Sequence, residues 1–152
     1  MIPLNLPEYT FTTRTVSGKT EIFDDIRKRF VALTPEEWVR QHFIKYLVIE
    51  KQYPKSLIAV EMNLKVIRRA KRSDIVVFGR NGIPMMVVEC KAPHIKISQK
   101  AFDQVARYNM TFNVRFLVVT NGLEHYCCKI DFAASQYSFL DFIPDFQQIQ
   151  QL

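Results

Sequence analysis

The dipeptide Asn81-Gly82 constrains the fold of this chain more than any other feature, because it lies between two short apolar runs. Asn-Gly is suited to the positive φ angles of a tight hairpin turn. The flanking runs are Asp74-Ile75-Val76-Val77-Phe78 and Met85-Met86-Val87-Val88-Glu89. We therefore predict two antiparallel strands joined by a two-residue loop, in which Arg80 pairs with Ile83.

The register of this predicted hairpin brings two acidic residues together. It places Asp74 directly opposite Glu89 on one face of the sheet, with Cβ atoms roughly 4.5 to 5.5 Å apart. Lys91 lies two residues after Glu89 and hence on the same face, whereas Cys90 points to the opposite layer. Opposed like charges destabilise a sheet unless a cation compensates, and a few hard oxygen ligands suit Mg²⁺ or Mn²⁺. The alternative is a strand start at Asp74 followed by a surface ion pair between Glu89 and Lys91.

Other elements can be read from caps and periodicity. Thr34, Pro35 and Glu37 form an N-cap, a first-turn proline and a capping-box acid, so a helix begins there and runs to about Glu50. Alternating apolar residues predict a strand near 57–67. Ser98 can cap a second helix, which presents one apolar face. Two further strands are predicted at 116–119 and 126–130.

These elements predict an α/β fold: a mixed β-sheet of about five strands flanked by helices. Because a helix separates the strand ending at Glu89 from the strand at 116–119, those two strands should be parallel neighbours joined by a right-handed crossover. We expect a single domain with a core at 34–131. Residues 1–33 form an N-terminal arm of unassigned structure, and the aromatic-rich tail 132–152 should cover an open face of the core.

Composition limits the class of protein. A chain of 152 residues with 48% hydrophobic and 24% charged residues can bury a core of its own. It has no apolar stretch long enough to span a membrane and no signal-peptide pattern, so we expect a cytoplasmic protein with no membrane partner. Its three cysteines are expected to be reduced and mostly buried.

Positive charge favours an anionic partner. The net charge is +6, with a pI near 9.3, and basic residues crowd the segment immediately before Asp74. We predict that this segment contacts an anionic partner such as a nucleic-acid backbone at the edge of the site, through Arg68, Arg69, Lys71 and Arg72. The alternative is a solvated turn.

The order of Asp74 followed by Glu89-Cys90-Lys91 resembles the Asp…Glu-x-Lys signature of the PD-(D/E)XK nuclease superfamily. The wider sequence is similar to the N-terminal nuclease domain of type I restriction enzyme R subunits, in a compact single-domain version. The segments that carry this resemblance are 33–41, Tyr53-Pro54-Lys55, 73–78, 88–93 and Thr120-Asn121-Gly122.

This resemblance implies a restriction-endonuclease-like core and a Mg²⁺-dependent DNA endonuclease. It implies that the metal is held by Asp74, Glu89 and the backbone carbonyl of Cys90. Lys91 would stabilise developing charge or position the attacking water. The implied partners are DNA and other subunits of a restriction system.

The resemblance also extends to two helices. A Gln-x-x-x-Tyr motif of the family matches Gln104 and Tyr108, which would support the active site or contact DNA; the alternative is a helix face with Tyr108 in the core. Many superfamily members carry an acidic residue in the first helix. Glu36 or Glu37 could serve, and we favour Glu37, although the capping box with Thr34 is a competing explanation for that residue.

The chain departs from the R subunit in having no P-loop motif and no room for helicase motor domains. We therefore expect this chain not to translocate DNA by itself. A non-catalytic DNA-binding or assembly module that retains the nuclease fold is the alternative function, and the intact set of Asp74, Glu89 and Lys91 is the evidence against it. A junction resolvase or repair nuclease fits the wider sequence less well.

Overall fold

The computed structural model describes residues 1–62, 73–110 and 112–152, which form two β-sheets and three α-helices. The helices are α1 (Pro35–Ile49), α2 (Gln99–Met110) and α3 (Phe146–Ile149), and a short 3-10 turn covers Lys55–Leu57. The strands are β1 (Thr13–Val16), β2 (Lys19–Asp24), β3 (Arg29–Ala32), β4 (Ile58–Met62), β5 (Ser73–Phe78), β6 (Pro84–Cys90), β7 (Phe116–Thr120), β8 (His125–Asp131) and β9 (Gln136–Leu140).

The N-terminal arm, left unassigned from sequence, contains the smaller sheet. Its three strands are antiparallel in the order β1-β2-β3. Val16 pairs with Lys19 across a two-residue turn in which Ser17 and Gly18 both have positive φ (50° and 75°). The β2–β3 turn is held by Asp24, whose Oδ1 accepts hydrogen bonds from the backbone nitrogens of Ile26 and Arg27 at 2.7 and 2.9 Å.

The larger sheet has six strands in the order β4-β5-β6-β7-β8-β9. Strands β6 and β7 are parallel and all other neighbours are antiparallel, which confirms the predicted mixed sheet and the parallel pair around α2. The prediction of about five strands missed β9, which lies within the C-terminal tail at the edge of this sheet.

The predicted register of the β5–β6 hairpin is confirmed next to the site but not at the loop. Ile75 pairs with Val88, and this register continues over the next two pairs. At the turn, the nitrogen of Gly79 donates to the carbonyl of Ile83 at 2.8 Å, so the loop has three residues and the predicted pairing of Arg80 with Ile83 is wrong.

The loop and a bulge compensate each other in this hairpin. Gly82 takes φ 79° within the longer loop, and Phe78 pairs with Pro84. The register then shifts between Phe78 and Val77, with Met85 as the additional residue, and this shift restores the predicted pairing. Continuing the ladder by one pair beyond Ile75 and Val88 places Asp74 opposite Glu89.

The helices α1 and α2 cover opposite faces of the sheet. Thr34 accepts a hydrogen bond from the nitrogen of Glu37 at 3.0 Å, which confirms the predicted start of α1. One core cluster joins Val39 and Phe43 of α1 to alternate residues of β5 and β6, and a second cluster places Phe102 and Val105 of α2 on the other face. Each face of these strands is therefore buried, as their continuous apolar sequence requires.

Part of the tail packs on the core. Ile143 and Ile149 are buried in the α1 cluster. The hydroxyl of Tyr53, a residue only 1% exposed, donates to the carbonyl of Pro144 at 2.7 Å.

The strand predicted near 57–67 is β4 up to Met62, and 63–67 lie outside the described residues. All three cysteines are free and buried. Within the described ranges, no helix is long and apolar enough to cross a membrane.

Candidate functional site

The site lies where β5 begins and β6 ends. The side chain of Asp74 is 13% exposed, and its Oδ2 accepts a hydrogen bond from the backbone nitrogen of Cys90 at 2.7 Å. This bond extends the β5–β6 pairing past Ile75 and Val88 by using a side chain in place of a backbone carbonyl. It fixes one oxygen of Asp74 against the strand that carries Glu89.

Glu89 lies on β6, and Lys91 is the first residue of the loop after β6. Glu89 is 7% exposed, and its Oε1 lies 3.8 Å from the Lys91 Nζ. The backbone nitrogen of Lys91 donates to the carbonyl of Thr120 at 2.8 Å, and its side chain is 33% exposed. The lysine is thus anchored by its backbone, while its ammonium group stays accessible beside a buried carboxylate.

Arg40 of α1 connects the first helix to Asp74. Its Nη2 donates to Asp74 Oδ1 at 2.8 Å and to Glu36 Oε1 at 3.1 Å. Its Nη1 donates to Glu37 Oε1 at 2.6 Å and lies 3.6 Å from Glu61 Oε1. Arg40 is only 4% exposed, so its guanidinium is a buried cation that is shared by several carboxylates.

The prediction from sequence missed Arg40. A signal was present, because Arg40 follows Glu36 by four residues and Glu37 by three, the spacings at which side chains meet on a helix. Those spacings do not reveal that the same guanidinium also reaches Asp74, 34 residues further along the chain.

A second arginine, Arg27, whose side chain is 12% exposed, links the N-terminal sheet to this group. Arg27 Nε donates to Asp24 Oδ2 at 2.5 Å, and Arg27 Nη2 donates to Glu37 Oε1 at 3.0 Å. Gln41 donates to both Asp24 and Glu37, at 3.0 and 2.9 Å. The chain Asp24, Arg27, Glu37, Arg40, Asp74 therefore alternates in charge from β2 to the start of β5. We call it the ion-pair chain.

Glu61 adds a third acid to the same end of the sheet. The β4–β5 ladder pairs Val60 with Ile75 and Met62 with Ser73, so Glu61 stands beside Asp74 in the sheet. Glu61 has φ 53°, which a non-glycine residue seldom adopts and which is often found at functional sites. Its Oε2 lies 3.2 Å from Arg27 Nη1.

Two groups beside Asp74 have raised pKa values. Burial, and then the nearby Asp74 carboxylate, raise the pKa of Glu36 above its ordinary value, although Arg40 and Lys91 act in the opposite direction. Burial, followed by the charge of Asp74, also raises the pKa of the Cys90 thiol well above its usual range. Cys90 is thereby kept as an uncharged thiol.

The oxygen donors fit a hydrated divalent ion better than a cage made of protein alone. Among the residues described, no group of three or more His, Cys, Asp or Glu is arranged to hold a metal ion. Mg²⁺ commonly binds through one or two carboxylates and keeps several waters, which is what Asp74 and Glu89 could provide. Both oxygens of Asp74 already accept one hydrogen bond each, so a metal there would share this carboxylate with Arg40 and Cys90.

The two glutamates of α1 have different surroundings. Glu37, which we favoured as the helix acid, is 5% exposed, and its carboxylate accepts from Arg27, Arg40 and Gln41. The Glu36 side chain is 48% exposed and interacts electrostatically with Asp74 and Lys91. Of the two, Glu36 is the acid that combines access to solvent with proximity to the site.

The remaining predicted site residues lie on α2 or outside the described residues. Gln104 is exposed, and Tyr108 is half-buried with its ring edge-on to Phe112 at 5.0 Å. Helix α2 covers the face of β6 to which Val87 contributes, and Glu89 alternates onto that face. The four basic residues predicted to contact DNA, Arg68, Arg69, Lys71 and Arg72, fall in 63–72 and are outside the described residues.

The fold and the site define a mixed α/β domain in which carboxylates and a lysine converge at one end of a central hairpin. Comparison with known protein families identifies one family to which this domain is similar. A profile of the family described as "Type I restriction enzyme R protein N terminus" matches residues 35–144. The chain therefore belongs to this family.

A solved structure supports the fold. A fragment of a putative HsdR subunit of a type I restriction enzyme from Vibrio vulnificus YJ016 is similar, with a TM-score of 0.56 and 20% sequence identity. The match covers 78% of this chain and 25% of that one, so this chain spans about a quarter of the length of its solved relative. No curated protein matches the chain.

Proposed function

We propose that this chain is a Mg²⁺-dependent DNA endonuclease domain of the type I restriction R-subunit kind, with a PD-(D/E)XK core. The observation that carries the proposal is the convergence of Asp74, Glu89 and Lys91 at one end of the β5–β6 hairpin. Two acids and a lysine in this arrangement suit the hydrolysis of a phosphodiester bond. Membership of the R-protein family supports the same reaction class.

Each side chain has a role that follows from its surroundings. A divalent cation bound by Asp74, Glu89 and the Cys90 carbonyl would polarise a phosphoryl oxygen and lower the pKa of a bound water. Lys91, fixed by its backbone and partly exposed, would donate to the phosphoryl oxygen that gains charge. We assign Glu36 the role of the first-helix acid in place of Glu37, because Glu37 is committed to the ion-pair chain.

DNA would approach the site from the side of the loop that follows β6. Beyond Lys91, this loop exposes His94 and Lys96, and Lys100 is exposed at the start of α2. We propose that these side chains contact the phosphate backbone together with Arg68, Arg69, Lys71 and Arg72. Gln104 and Tyr108 of α2 would support the same surface.

Cleavage of supercoiled plasmid with and without Mg²⁺ tests this function. We expect nicking that requires Mg²⁺ and falls at least about a hundredfold in Lys91→Ala, since removal of one charge-stabilising donor commonly costs that much. Lys19→Ala, an exposed lysine at the turn of the N-terminal sheet, is the matched control and should keep full activity. Equal cleavage by wild type and Lys91→Ala would contradict the proposed active site.

A non-catalytic DNA-binding or assembly module is the second candidate. The observation that favours it is that Arg40 and the Cys90 backbone already bind both oxygens of Asp74. In that case the protein would bind duplex DNA in Ca²⁺ but would not cut it in Mg²⁺ or Mn²⁺. Cleavage only after addition of other restriction-system subunits would instead support the endonuclease within an assembly.

A further inference from the structure

We propose that Arg40 sets the metal affinity of the site, because its guanidinium is a resident cation that competes with a divalent ion for Asp74. This inference rests on the proposed metal site. Arg40 Nη2 lies 2.8 Å from Asp74 Oδ1, a charge-assisted contact within a largely buried group. A divalent ion on the same carboxylate would meet this positive charge at close range.

The geometry lets Arg40 leave Asp74 without becoming unpaired. The same Nη2 donates to Glu36 Oε1 at 3.1 Å, so one nitrogen bridges two carboxylates. The other terminal nitrogen, Nη1, is held by Glu37 Oε1 at 2.6 Å. A small rotation of the guanidinium about the Glu37 contact would therefore transfer Nη2 from Asp74 towards Glu36.

The negative charge around Arg40 explains why such a cation is needed in the metal-free protein. In the part of the chain that the structure describes, five carboxylates contact two guanidinium groups, those of Arg27 and Arg40; the five belong to Asp24, Glu36, Glu37, Glu61 and Asp74. Like charges in a buried group repel strongly. Arg40 holds Asp74 in place until a metal replaces part of that compensation.

Metal affinity in Arg40→Gln tests the inference. Calorimetry with Mg²⁺, or electron paramagnetic resonance with Mn²⁺, should show binding at least about tenfold tighter than in wild type, because one positive charge next to Asp74 is gone. Arg27→Gln is the matched control: it removes the other guanidinium of the ion-pair chain, whose recorded carboxylate contacts are Asp24, Glu37 and Glu61 rather than Asp74. Because Arg27 acts on Asp74 only indirectly, through the Glu37 oxygen that it shares with Arg40, the control should tighten metal binding much less than Arg40→Gln does.

A measurement on the wild-type protein keeps the test independent of whether Arg40→Gln folds. In nuclear magnetic resonance spectra, Mg²⁺ should shift the Arg40 Nε–H signal, assigned by its absence in Arg40→Lys, together with the backbone amide of Cys90. A shift of Cys90 without one of Arg40 at saturating metal would overturn the inference.

The outcomes separate this inference from the proposed function. If the wild type binds metal and cleaves DNA, but Arg40→Gln binds metal no more tightly, the competition is refuted and the endonuclease stands. If metal binds Arg40→Gln but not the wild type, the competition is supported. Metal binding by neither protein would overturn both.

Discussion

Asp74→Asn should destabilise the metal-free protein, because both oxygens of Asp74 accept hydrogen bonds. Oδ1 accepts from Arg40 at 2.8 Å, and Oδ2 accepts from the Cys90 nitrogen at 2.7 Å. An asparagine has one oxygen and one NH₂ group, so one of these two donors would face another donor. The substitution therefore removes a charge-assisted bond and leaves a donor without an acceptor.

The expected size follows from these two bonds. Losing a hydrogen bond to a charged group costs about 1.5–3 kcal/mol, and relief of repulsion from Glu36 offsets part of it. We expect a net loss of about 2 kcal/mol in the free energy of unfolding. Asp25→Asn is the matched control, because Asp25 is half-exposed and pairs with Lys28 and Lys55 at the surface, where such pairs contribute at most about 1 kcal/mol.

Urea denaturation in buffer with a chelator measures this difference, followed by Trp38 fluorescence and far-ultraviolet circular dichroism. The chelator matters because bound metal would stabilise the wild type and exaggerate the effect. If Asp74→Asn were as stable as wild type or more stable, repulsion among the carboxylates would outweigh the two bonds, and the reasoning about Arg40 would be refuted.

Two further predictions concern pH. Burial raises the pKa of Asp24, but hydrogen bonds from Arg27 and Gln41 bring it below its ordinary 3.8. Ionised Asp24 therefore stabilises the fold above about pH 4, and this stability is lost as the pH falls. Urea denaturation between pH 6 and 2.5 should show that Asp24→Asn loses less stability in acid than the wild type does. The pKa of Glu36 is raised, so its ionisation disfavours the folded state above the ordinary value of 4.5. Glu36→Gln should therefore be at least as stable as the wild type at pH 7, and any gain in stability should vanish below about pH 4.5. A clear loss of stability in Glu36→Gln at pH 7 would contradict this prediction.

The central hairpin could be predicted because its signals are local. Asn81-Gly82 and the flanking apolar runs specified two strands and the pairing of Ile75 with Val88. The loop length was wrong, because Asn-Gly also fits a three-residue loop with glycine at positive φ, and nothing in the sequence marks Met85 as a bulge. The predicted pairing from Ile75 to Val77 was nevertheless right, since the loop and the bulge cancel.

The elements that were missed depend on contacts distant in sequence. Strand β9 has exposed Phe139 and half-buried Tyr137 at a sheet edge, a pattern too weak to distinguish from a loop. Arg40 shows its helical neighbours in the sequence but not its bond to Asp74. Similarly, a buried Asp24 in a mixed segment looks like a surface acid until the fold brings Gln41 and Arg27 to it.

The ion-pair chain connects the N-terminal sheet to the site, although the family match begins only at residue 35. Arg27 and Asp24 both precede that match. Arg27 donates to Glu37 Oε1, which is the same oxygen that accepts from Arg40. Because Glu37 is buried, removing Arg27 would leave it with less compensation and would draw Arg40 more strongly towards Glu37 and away from Asp74. The N-terminal sheet therefore contributes to how firmly Arg40 holds Asp74, through a carboxylate that neither contacts the proposed metal nor faces solvent.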